Sequence, residues 1–517
     1  MASGVKGLDR LPFQVVPPDP PDPSDHKALD RLQKALDTNG YDVAHLRHLM
    51  PKDAHGAYLD GWSNPALRRT EPTTPLSTLT RLFALGLDVP ASDLDEVTGL
   101  DVSDCIATGL VAVRRRTAHP LVSTQPVRMG GVELRVVSEA PQLGVRLPAF
   151  PEFVPGVVDA SNQLAKLTIR RRFGRALDMG TGNGFQALLA SRHCDEVVAT
   201  DLNRRALAFA RFNMAWNRVE NVDLRQGDRY EPVSGELFDL ILSNPPFVVS
   251  PATTVQYRDS GLPTDTISET TVTGAAEHLT PGGWAQIMCQ WVHHDGERWQ
   301  DRVEAWVAGT GCDAWAVQRG TQDSVSHAVQ WLTELGRADP KEADRQFEQW
   351  MDYFDSEDVA GVGTGFVVLR KAVGRDPWYI ASELGEEWAD DAGEAVASFF
   401  DTQDWLHANP GAGAILDTHW RLAEHVRLDT TQGGSNQGAT ANRHVLRQGT
   451  GLRTSVEITK DLAEIVMRCD GTRPLRAVVG EHLKGRWRDP ARHEAEIEVA
   501  FRQLVAPGFV VSVTETR

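Results

Sequence analysis

The sequence predicts an α/β fold in which a doubly wound, mostly parallel seven-stranded sheet is flanked by helical or winged-helix-like domains at both ends of the chain. Across residues 157–373, short apolar runs rich in β-branched residues alternate with segments of helical length. A glycine-rich turn, "MGTGNG", follows the first of these runs, as expected where a strand passes into a helix beside a ligand. On either side of this region, helix patterns predominate.

The composition is that of a globular protein. The chain has 517 residues, enough for about two to four domains, and is 41% hydrophobic and 24% charged. Its net charge of −18 disfavours a surface that binds nucleic-acid phosphates over a large area. The five cysteines lack CxxC spacing, which excludes a disulfide framework or a zinc ribbon and favours the reducing cytosol. No apolar run has membrane-spanning length, so we expect a soluble, cytoplasmic protein without a membrane partner.

Two adjacent histidines, His293 and His294, are the clearest candidates for metal ligands. On an extended segment, neighbouring side chains point to opposite faces, so these two are poorly placed to share one ion. We therefore expect no metal site.

The first third of the chain divides into three predicted segments. Residues 1–23 end in "VVPPDPPDPSD", a Pro/Asp-rich stretch that should be extended, flexible and poorly packed. Residues 24–116 carry several short helix patterns before an apolar strand pattern, which predicts a helical or winged-helix-like domain. Residues 117–156 contain two strand patterns around Gly130 and Gly131, which predicts a β-hairpin linker.

The central domain, residues 157–373, supplies the strands of the predicted sheet. The segments identified as strands are "RALDM", "EVVATD", "NVDLRQGD", "FDLILSN", "WAQIMCQWV" and "GTGFVVLRK". Helix patterns such as "FQALLASR" and "RALAFARFNMAWN" separate the first of them, so these strands should run parallel.

The C-terminal region, residues 374–517, returns to helix patterns. Within it, residues 430–451 are polar and glycine-rich, and we expect a flexible linker there. Residues 452–517 combine three helix patterns with a terminal strand pattern, which predicts a second winged-helix-like unit.

The turn after the first strand of the sheet carries the strongest ligand-binding signal. Asp178 ends the strand, and the chain then passes through Gly180, Gly182 and Gly184 into a helix. Glycine permits left-handed backbone and close approach of a ligand. The GxGxG spacing differs from the GxGxxG of dinucleotide folds, and no Lys-Ser/Thr follows as in a phosphate-binding loop. The turn therefore suits a ligand without a pyrophosphate.

Two acidic residues extend this signal to the next strands. Asp201 ends the second strand about 21 residues beyond Gly180, where an acid can accept hydrogen bonds from ribose hydroxyls. Gly227 and Asp228 end the third strand, where a carboxylate can meet the adenine amino group. An adenosine without phosphates at the carboxyl ends of parallel strands indicates S-adenosylmethionine as the cofactor.

A fourth strand ends in the rigid segment Asn244, Pro245, Pro246 and Phe247. Amide and exocyclic amino nitrogens are poor nucleophiles because their lone pairs are delocalised. The side-chain oxygen of Asn244 and the carbonyl of Pro245 can accept hydrogen bonds from such an NH₂ group and orient it towards a methyl donor. Phe247 can stack on the planar acceptor, and no separate general base is required.

Together, these motifs resemble the class I S-adenosylmethionine-dependent methyltransferases, which have a Rossmann-like fold, over about residues 157–373. The Asn-Pro-Pro-Phe segment and its surroundings resemble the release-factor glutamine N5-methyltransferases and the related small-domain N-methyltransferases. We expect the catalytic residues to be Asn244, Pro245, Pro246 and Phe247. We expect the cofactor-binding residues to be Asp178, Gly180, Thr181, Gly182, Gly184, Asp201, Asn203, Asp228 and Asn244.

One segment departs from the release-factor pattern. That family has Ile-Pro-Arg-Pro-Glu-Thr just before the catalytic domain, whereas residues 153–164 here read "FVPGVVDASNQL" and lack the arginine and glutamate. We favour a protein or peptide amide of the glutamine type as the acceptor. The alternatives are a nucleic-acid base, adenine N6 or guanine N2, a small molecule, or a cofactor-binding sensor without transfer activity.

Overall fold

The computed structural model describes residues 17–54, 63–71, 74–139, 150–251, 256–334, 340–385, 388–431, 442–484 and 490–513. These residues divide into two compact units, the first within Met1–Ala165 and Arg171–Glu383 and the second within Lys166–Arg170 and Leu384–Arg517. Over the described ranges, no helix combines the length and the apolar character needed to cross a membrane.

Both units contain helices and strands. The α-helices are α1 His26–Thr38, α2 Val43–Leu49, α3 Ser63–Arg69, α4 Pro75–Leu79, α5 Ala91–Asp95, α6 Val102–Ala107, α7 Asp159–Leu167, α8 Phe185–Ala190, α9 Arg204–Trp216, α10 Thr266–Glu277, α11 Trp299–Val307, α12 Ser324–Glu334, α13 Pro340–Ser356, α14 Ala392–Ala408, α15 Ala412–Asp417, α16 Lys460–Val466, α17 Leu475–Leu483 and α18 Pro490–Val505. A π-helical turn, Thr80–Ala84, continues α4, and a 3₁₀ turn, Glu231–Val233, precedes the fourth strand of the main sheet.

The strands are β1 Val89–Pro90, β2 Val111–Arg114, β3 Thr117–Pro120, β4 Val122–Met129, β5 Val132–Glu139, β6 Phe173–Met179, β7 Cys194–Asp201, β8 Val222–Gln226, β9 Phe238–Ser243, β10 Leu279–His293, β11 Cys312–Asp323, β12 Gly361–Lys371, β13 Tyr379–Glu383, β14 His419–Leu422, β15 Val426–Thr431, β16 Arg443–Gln448, β17 Ser455–Ile458, β18 Asp470–Pro474 and β19 Val510–Ser512.

The main sheet has the order β13-β11-β12-β10-β9-β6-β7-β8. All of its strands run in one direction except β12, which is antiparallel to both neighbours. The order reverses between β6 and β9, and in open α/β sheets such a switch point opens a crevice at the carboxyl ends of the strands. The predicted α/β fold with a mostly parallel sheet is confirmed.

The sheet has eight strands rather than the predicted seven. The strand patterns identified in the sequence omit β11 and β13. Strand β11 contains the buried Asp313, which pairs with Arg370 at 2.9 Å and masks the apolar pattern. Strand β13 is an edge strand whose side chains are only partly buried, so its apolar signal is weak. The sheet therefore continues to Glu383, beyond the predicted boundary at residue 373.

The N-terminal domain has the arrangement of a winged helix. Helix α4 with its π-helical turn, α5 and α6 lie before the β2–β3 hairpin, and β1 pairs with β3 to give the sheet order β1-β3-β2. Strand β3 therefore belongs to this domain, although the predicted boundary lies before it, at residue 116.

Residues 21 and 22 contact the N-terminal domain, contrary to the prediction of a flexible terminus up to residue 23. Pro21 is buried, and the Asp22 amide donates to the Thr108 carbonyl at 3.0 Å. Gly109 makes this close approach feasible, since a Cβ there would lie 3.3 Å from the Pro21 Cα. Residues 1–16 lie outside the described ranges.

The hairpin β4–β5 joins the N-terminal domain to the main sheet domain through α9. Asn213 of α9 is fully buried; its side chain accepts from the Val137 amide and donates to the Val137 carbonyl, both at 2.8 Å. Phe209, Phe212 and Trp216 of the same helix belong to the hydrophobic core of the N-terminal domain. The hydrophobic core of the N-terminal domain therefore extends to α9 of the main sheet domain.

The C-terminal unit contains two three-stranded sheets, β18-β14-β19 and β15-β16-β17. The predicted flexible segment, residues 430–451, instead includes β16, which pairs with β15 and β17. His444, Leu446 and Gln448 form the buried face of β16, and two polar residues in that alternation obscured the strand pattern. Residues 432–441 of the same prediction lie outside the described ranges.

Candidate active site

The predicted motifs meet at one edge of the main sheet, at the ends of four neighbouring strands. The pairings that establish this are Met179 with Thr200, Met179 with Ser243, and Asp201 with Gln226. The chain therefore leaves β6 at Gly180, β9 at Asn244 and β8 at Gly227 on the same side of the sheet as Asp201. This edge includes the switch point, where α/β folds place their ligands.

The glycine turn leaves space in front of β6. Gly180, Gly182 and Gly184 have φ of 73°, 56° and 87°, the left-handed region that glycine adopts without strain. A Cβ on Gly180 or Gly182 would meet no heavy atom within 4 Å, whereas one on Gly184 would lie 2.9 Å from the Met214 Cε and 3.2 Å from the Ala210 Cβ. The first two glycines thus border open space, and the third allows α8 to pack closely on α9.

Asp178 supports this turn from within the protein. Its buried carboxylate accepts from the Thr181 hydroxyl at 2.6 Å and from the Ala187 amide at 3.0 Å. Burial raises the pKa of the Asp178 carboxyl to about 7, and the two donated hydrogen bonds lower it. In the structure, Asp178 and Thr181 therefore hold the turn together.

Asp201 links the glycine turn to the start of α9. Its carboxylate accepts from the Gly182 amide and from the Asn203 amide, both at 2.8 Å. Burial raises the pKa of this carboxyl, and the two amides lower it. Asn203 caps α9 through the Arg205 amide at 2.9 Å.

Asp228 occupies the outer end of the same edge. It follows Gln226, the last residue of β8, and its side chain is exposed. Its carboxylate lies 3.2 Å from the guanidinium of Arg229, a residue with left-handed φ of 45°.

The segment before α7 contacts the glycine turn after β6 and the turn after β7. The Asn203 side chain donates to the Glu152 carbonyl at 3.0 Å, and the Asn183 side chain donates to the Pro155 carbonyl at 2.9 Å. This segment therefore borders the open space in front of β6. Sequence reasoning missed Asn183, whose position between two glycines of the motif was the available signal.

The side-chain oxygen of Asn244 is a hydrogen-bond acceptor without a donor among the described residues. Its side-chain nitrogen donates to the Ser161 hydroxyl of α7 at 3.3 Å. Its side-chain oxygen is buried and has no hydrogen-bond partner in the part of the chain that the structure describes. A buried acceptor without a donor costs about 1–3 kcal/mol. The Ser161 contact thus turns the Asn244 oxygen away from α7.

The rest of the Asn-Pro-Pro-Phe segment is compact. The Pro245 carbonyl accepts from the Phe247 amide at 2.7 Å, which leaves its second lone pair for another donor. Phe247 is 8% exposed and forms a β-bridge with Asp259.

Two buried polar side chains fix the backbone just beyond this segment. The Val249 amide donates to Gln290 of β10, and His327 of α12 donates to the Val249 carbonyl, both at 3.1 Å. Burial lowers the pKa of His327 to about 4, while its hydrogen bond to the carbonyl raises it. Sequence reasoning missed both residues. The two buried glutamines of β10, Gln286 and Gln290, interrupt an apolar run and were a usable signal, but His327 had none.

The match to a known family spans this edge of the sheet. Residues 153–294, which include all four strand-end turns, match the family described as "Methyltransferase small domain". The match begins in the segment before α7 and ends with β10. The class I methyltransferase domain predicted from the sequence is thereby confirmed, and its family supports S-adenosylmethionine as the cofactor.

Two further families match the flanking regions. Residues 38–121 match a domain of unknown function, DUF7059, and residues 397–512 match another, DUF7782. The first range covers most of the N-terminal winged helix, and the second covers most of the C-terminal unit.

Three curated relatives align with the methyltransferase domain. The release factor glutamine methyltransferase of Xylella fastidiosa strain Temecula1 is 36% identical over 129 residues, 23% of this chain and 47% of the relative. The ribosomal protein uL3 glutamine methyltransferase of Bradyrhizobium diazoefficiens is 33% identical over 122 residues, 21% of this chain and 38% of the relative. The ribosomal RNA small subunit methyltransferase C of Erwinia tasmaniensis is 30% identical over 143 residues, 26% of this chain and 38% of the relative.

These similarities cover a limited part of each protein. The chain spans less than half the length of these relatives. A solved methyltransferase structure from Pyrococcus furiosus is 18% identical, with a TM-score of 0.27 over 44% of this chain and 90% of that chain. A TM-score this low adds no argument about this chain.

Proposed function

We propose that this protein transfers a methyl group from S-adenosylmethionine to a planar NH₂ nitrogen, and that the acceptor is a glutamine-type amide in a protein or peptide. The observation that carries this proposal is the buried Asn244 side-chain oxygen, which has no donor among the described residues. It belongs to the turn that adjoins the glycine turn, because β9 and β6 are paired neighbours. An NH₂ group is the donor that would satisfy it.

The residues of the glycine turn fit the cofactor. Gly180 and Gly182 leave open the space that side chains would occupy, and Asp201 retains lone pairs for ribose hydroxyls beside its two backbone contacts. When bound, S-adenosylmethionine supplies an electrophilic methyl group on a positively charged sulfur. We assign its binding to the turns formed by Asp178, Gly180, Thr181, Gly182, Gly184, Asp201, Asn203, Asp228 and Asn244, in which Asp178, Thr181 and Gly184 hold the shape of the glycine turn.

Orientation is the main task of the acceptor site. We assign the Asn244 oxygen and the free lone pair of the Pro245 carbonyl to the two hydrogens of the acceptor NH₂. Both bonds hold the nitrogen in line for transfer and strengthen as positive charge develops on it. The two prolines fix the directions of these acceptors, and Phe247 offers a planar surface for stacking. The proton leaves to water after transfer.

Two of the three relatives described above are named as glutamine methyltransferases of proteins, which favours the amide acceptor. The third is named as a ribosomal RNA methyltransferase. An exocyclic amino group of a base offers the same planar NH₂ donor, so a base is the alternative acceptor.

The test uses purified protein, methyl-labelled S-adenosylmethionine and a lysate freed of small molecules. Parallel samples are digested with protease or with nuclease before retained label is counted. Label lost only to protease supports the amide acceptor, and label lost only to nuclease supports the base. Absence of label from both fractions, with cofactor binding intact, would contradict transfer to either.

Asn244→Ala is the matched variant for this assay. Removing the acceptor of the NH₂ hydrogen bond should lower the transfer rate by about 10²–10³-fold. The Kd for the cofactor, measured by calorimetry, separates a loss of cofactor binding from a loss of the transfer step, since Asn244 is assigned to both. Ser161→Ala keeps Asn244 but frees its amide to rotate, so its rate should fall between those of wild type and Asn244→Ala.

A further inference from the structure

The β2–β3 hairpin of the N-terminal winged helix ends in three consecutive arginines. Arg114 pairs with Thr117, so Arg115 and Arg116 form a two-residue turn between the strands. All three arginines are exposed. In a winged helix this hairpin is the wing, the narrow ribbon that projects from the helices.

None of the three guanidinium groups has an ion-pair or hydrogen-bond partner among the residues that the structure describes. Exposed arginines elsewhere in this acidic chain are commonly paired, as in Arg128 with Glu133 and Arg218 with Asp30. The wing tip is thus a local concentration of unneutralised positive charge on a chain of net charge −18.

Arginine is an unfavourable residue for this turn. Arg115 and Arg116 have φ of 51° and 67°, in the left-handed region that glycine and asparagine tolerate best. Two-residue hairpin turns of this kind favour Asn-Gly for that reason. The chain therefore carries charge at two positions where a neutral pair would make a more stable hairpin.

The wing is held in a defined position. Strand β3 pairs with β1 on its other side, and the Ala91 amide donates to the Arg116 carbonyl at 2.9 Å. Because the N-terminal domain shares its core with α9, the wing is anchored on the methyltransferase domain rather than on a linker. A rigid, positively charged ribbon can bind a polyanion with little loss of conformational entropy.

We propose that the wing tip, Arg114 to Arg116, is a binding site for the phosphate backbone of a nucleic acid. Guanidinium groups bind phosphate oxygens in a bidentate manner, and a two-stranded ribbon is narrow enough to enter a nucleic-acid groove. An anionic lipid surface is better matched by lysines with bulky apolar anchors, which this tip lacks. The site is separate from the proposed methyl-transfer centre. It suits a nucleic acid that is itself the methyl acceptor and equally one that carries the acceptor protein.

The test is a binding titration with the full-length protein. Fluorescence anisotropy is followed with labelled 20-nucleotide probes of mixed sequence, as single-stranded RNA, duplex RNA and duplex DNA, over a series of KCl concentrations. The decisive variant is Arg114→Gln with Arg115→Asn and Arg116→Gly, which removes the charge and supplies the preferred turn residues. Its affinity should fall at least about 10-fold. The magnitude of the negative slope of log K, where K is the association constant, against log salt concentration should decrease by about 2–3. Its Tm should equal or exceed that of wild type.

The control removes the same charge elsewhere. Arg298→Gln, Arg345→Gln and Arg427→Gln change exposed arginines with side chains 71%, 59% and 76% accessible. This variant should bind within about 2-fold of wild type, since its arginines lie outside the wing. The proposal is overturned by absence of binding to all three probes at low salt, or by equal weakening in the two triple variants. Equal affinity of the wing for polyglutamate or anionic vesicles would also overturn it. Because the titration needs no cofactor, its outcome is independent of the proposed methyl transfer.

Discussion

Individual polar atoms at the strand ends have two different tasks. The Asp178 carboxylate already accepts from Thr181 and Ala187, so it holds the glycine turn in shape. The Asn244 oxygen accepts from no described residue, so it remains for a ligand. Asp178 and Asn244 were both identified from the same set of sequence motifs. Their hydrogen-bond partners distinguish a residue that supports the site from one that we assign to contact the acceptor.

Replacing each glycine of the turn by alanine should also distinguish a glycine that supports the fold from one that borders the ligand. Gly184→Ala should destabilise the protein by about 2–4 kcal/mol, because the new Cβ meets Met214 and Ala210 in addition to the left-handed strain. Gly180→Ala should cost only about 1–2 kcal/mol for its backbone, yet weaken cofactor binding at least about 10-fold. Urea denaturation and calorimetric titration of both variants measure these effects. Equal losses of stability in the two variants, or an unchanged affinity of Gly180→Ala for the cofactor, would contradict these different roles for Gly184 and Gly180.

Helices α12 and α13 lie between β11 and β12 in the chain and contact residues that follow the Asn-Pro-Pro-Phe segment. Besides the His327 contact with Val249, the buried Arg258 donates to the Trp331 carbonyl at 3.2 Å, and the Thr264 amide donates to the Tyr353 hydroxyl at 2.8 Å. These contacts fix the chain that follows Phe247. The insertion between β11 and β12 therefore packs against the chain that follows the segment we assign to the acceptor.

Acid should loosen this insertion through His327. The pKa of His327 is lowered to about 4, below the unfolded value of about 6.5, so its contribution to stability is complete above about pH 6.5 and is lost as pH falls towards 4. Relative to His327→Gln, which does not titrate, the free energy of unfolding of wild type should fall by up to about 3 kcal/mol over that range. Urea denaturation at several pH values between 4 and 8 measures the difference. A pH-independent difference would show that His327 is not buried in its neutral form.

The first compact unit contains the winged helix, the hairpin and the methyltransferase domain. Trp216 of α9 is 1% exposed, stacks on Phe212 with ring centroids 5.5 Å apart, and its carbonyl accepts from Gln33 of α1. The ion pair between the partly buried Arg205 and the buried Glu139 joins α9 to β5 at the same boundary. The apolar face of α9 is thus covered by the N-terminal domain rather than by solvent.

Replacing Trp216 should therefore destabilise both domains together. Trp216→Ala should cost about 3–5 kcal/mol, and hydrogen exchange should accelerate in β2–β3 and in β6–β7 to a similar extent. The exposed Val325→Ala serves as a control that should change stability by less than about 0.5 kcal/mol. Exchange that accelerates only in the N-terminal strands would show that the two domains unfold separately.

The sequence alone determined the features that depend on local backbone and local pattern. The glycine turn, Asp201 and the Asn-Pro-Pro-Phe segment were located correctly at strand ends, because glycine, proline and apolar periodicity act on residues close together in the chain. The α/β fold followed from the alternation of strand and helix patterns.

Only the tertiary structure decided which distant residues complete these features. Ser161 meets Asn244 across 83 positions of sequence, and His327 meets Val249 across 78. Strands β11 and β16 were missed because buried polar residues, held by partners far along the chain, interrupt their apolar patterns. A polar side chain is stable in the interior only when the fold brings it a partner, and the local sequence does not contain that partner.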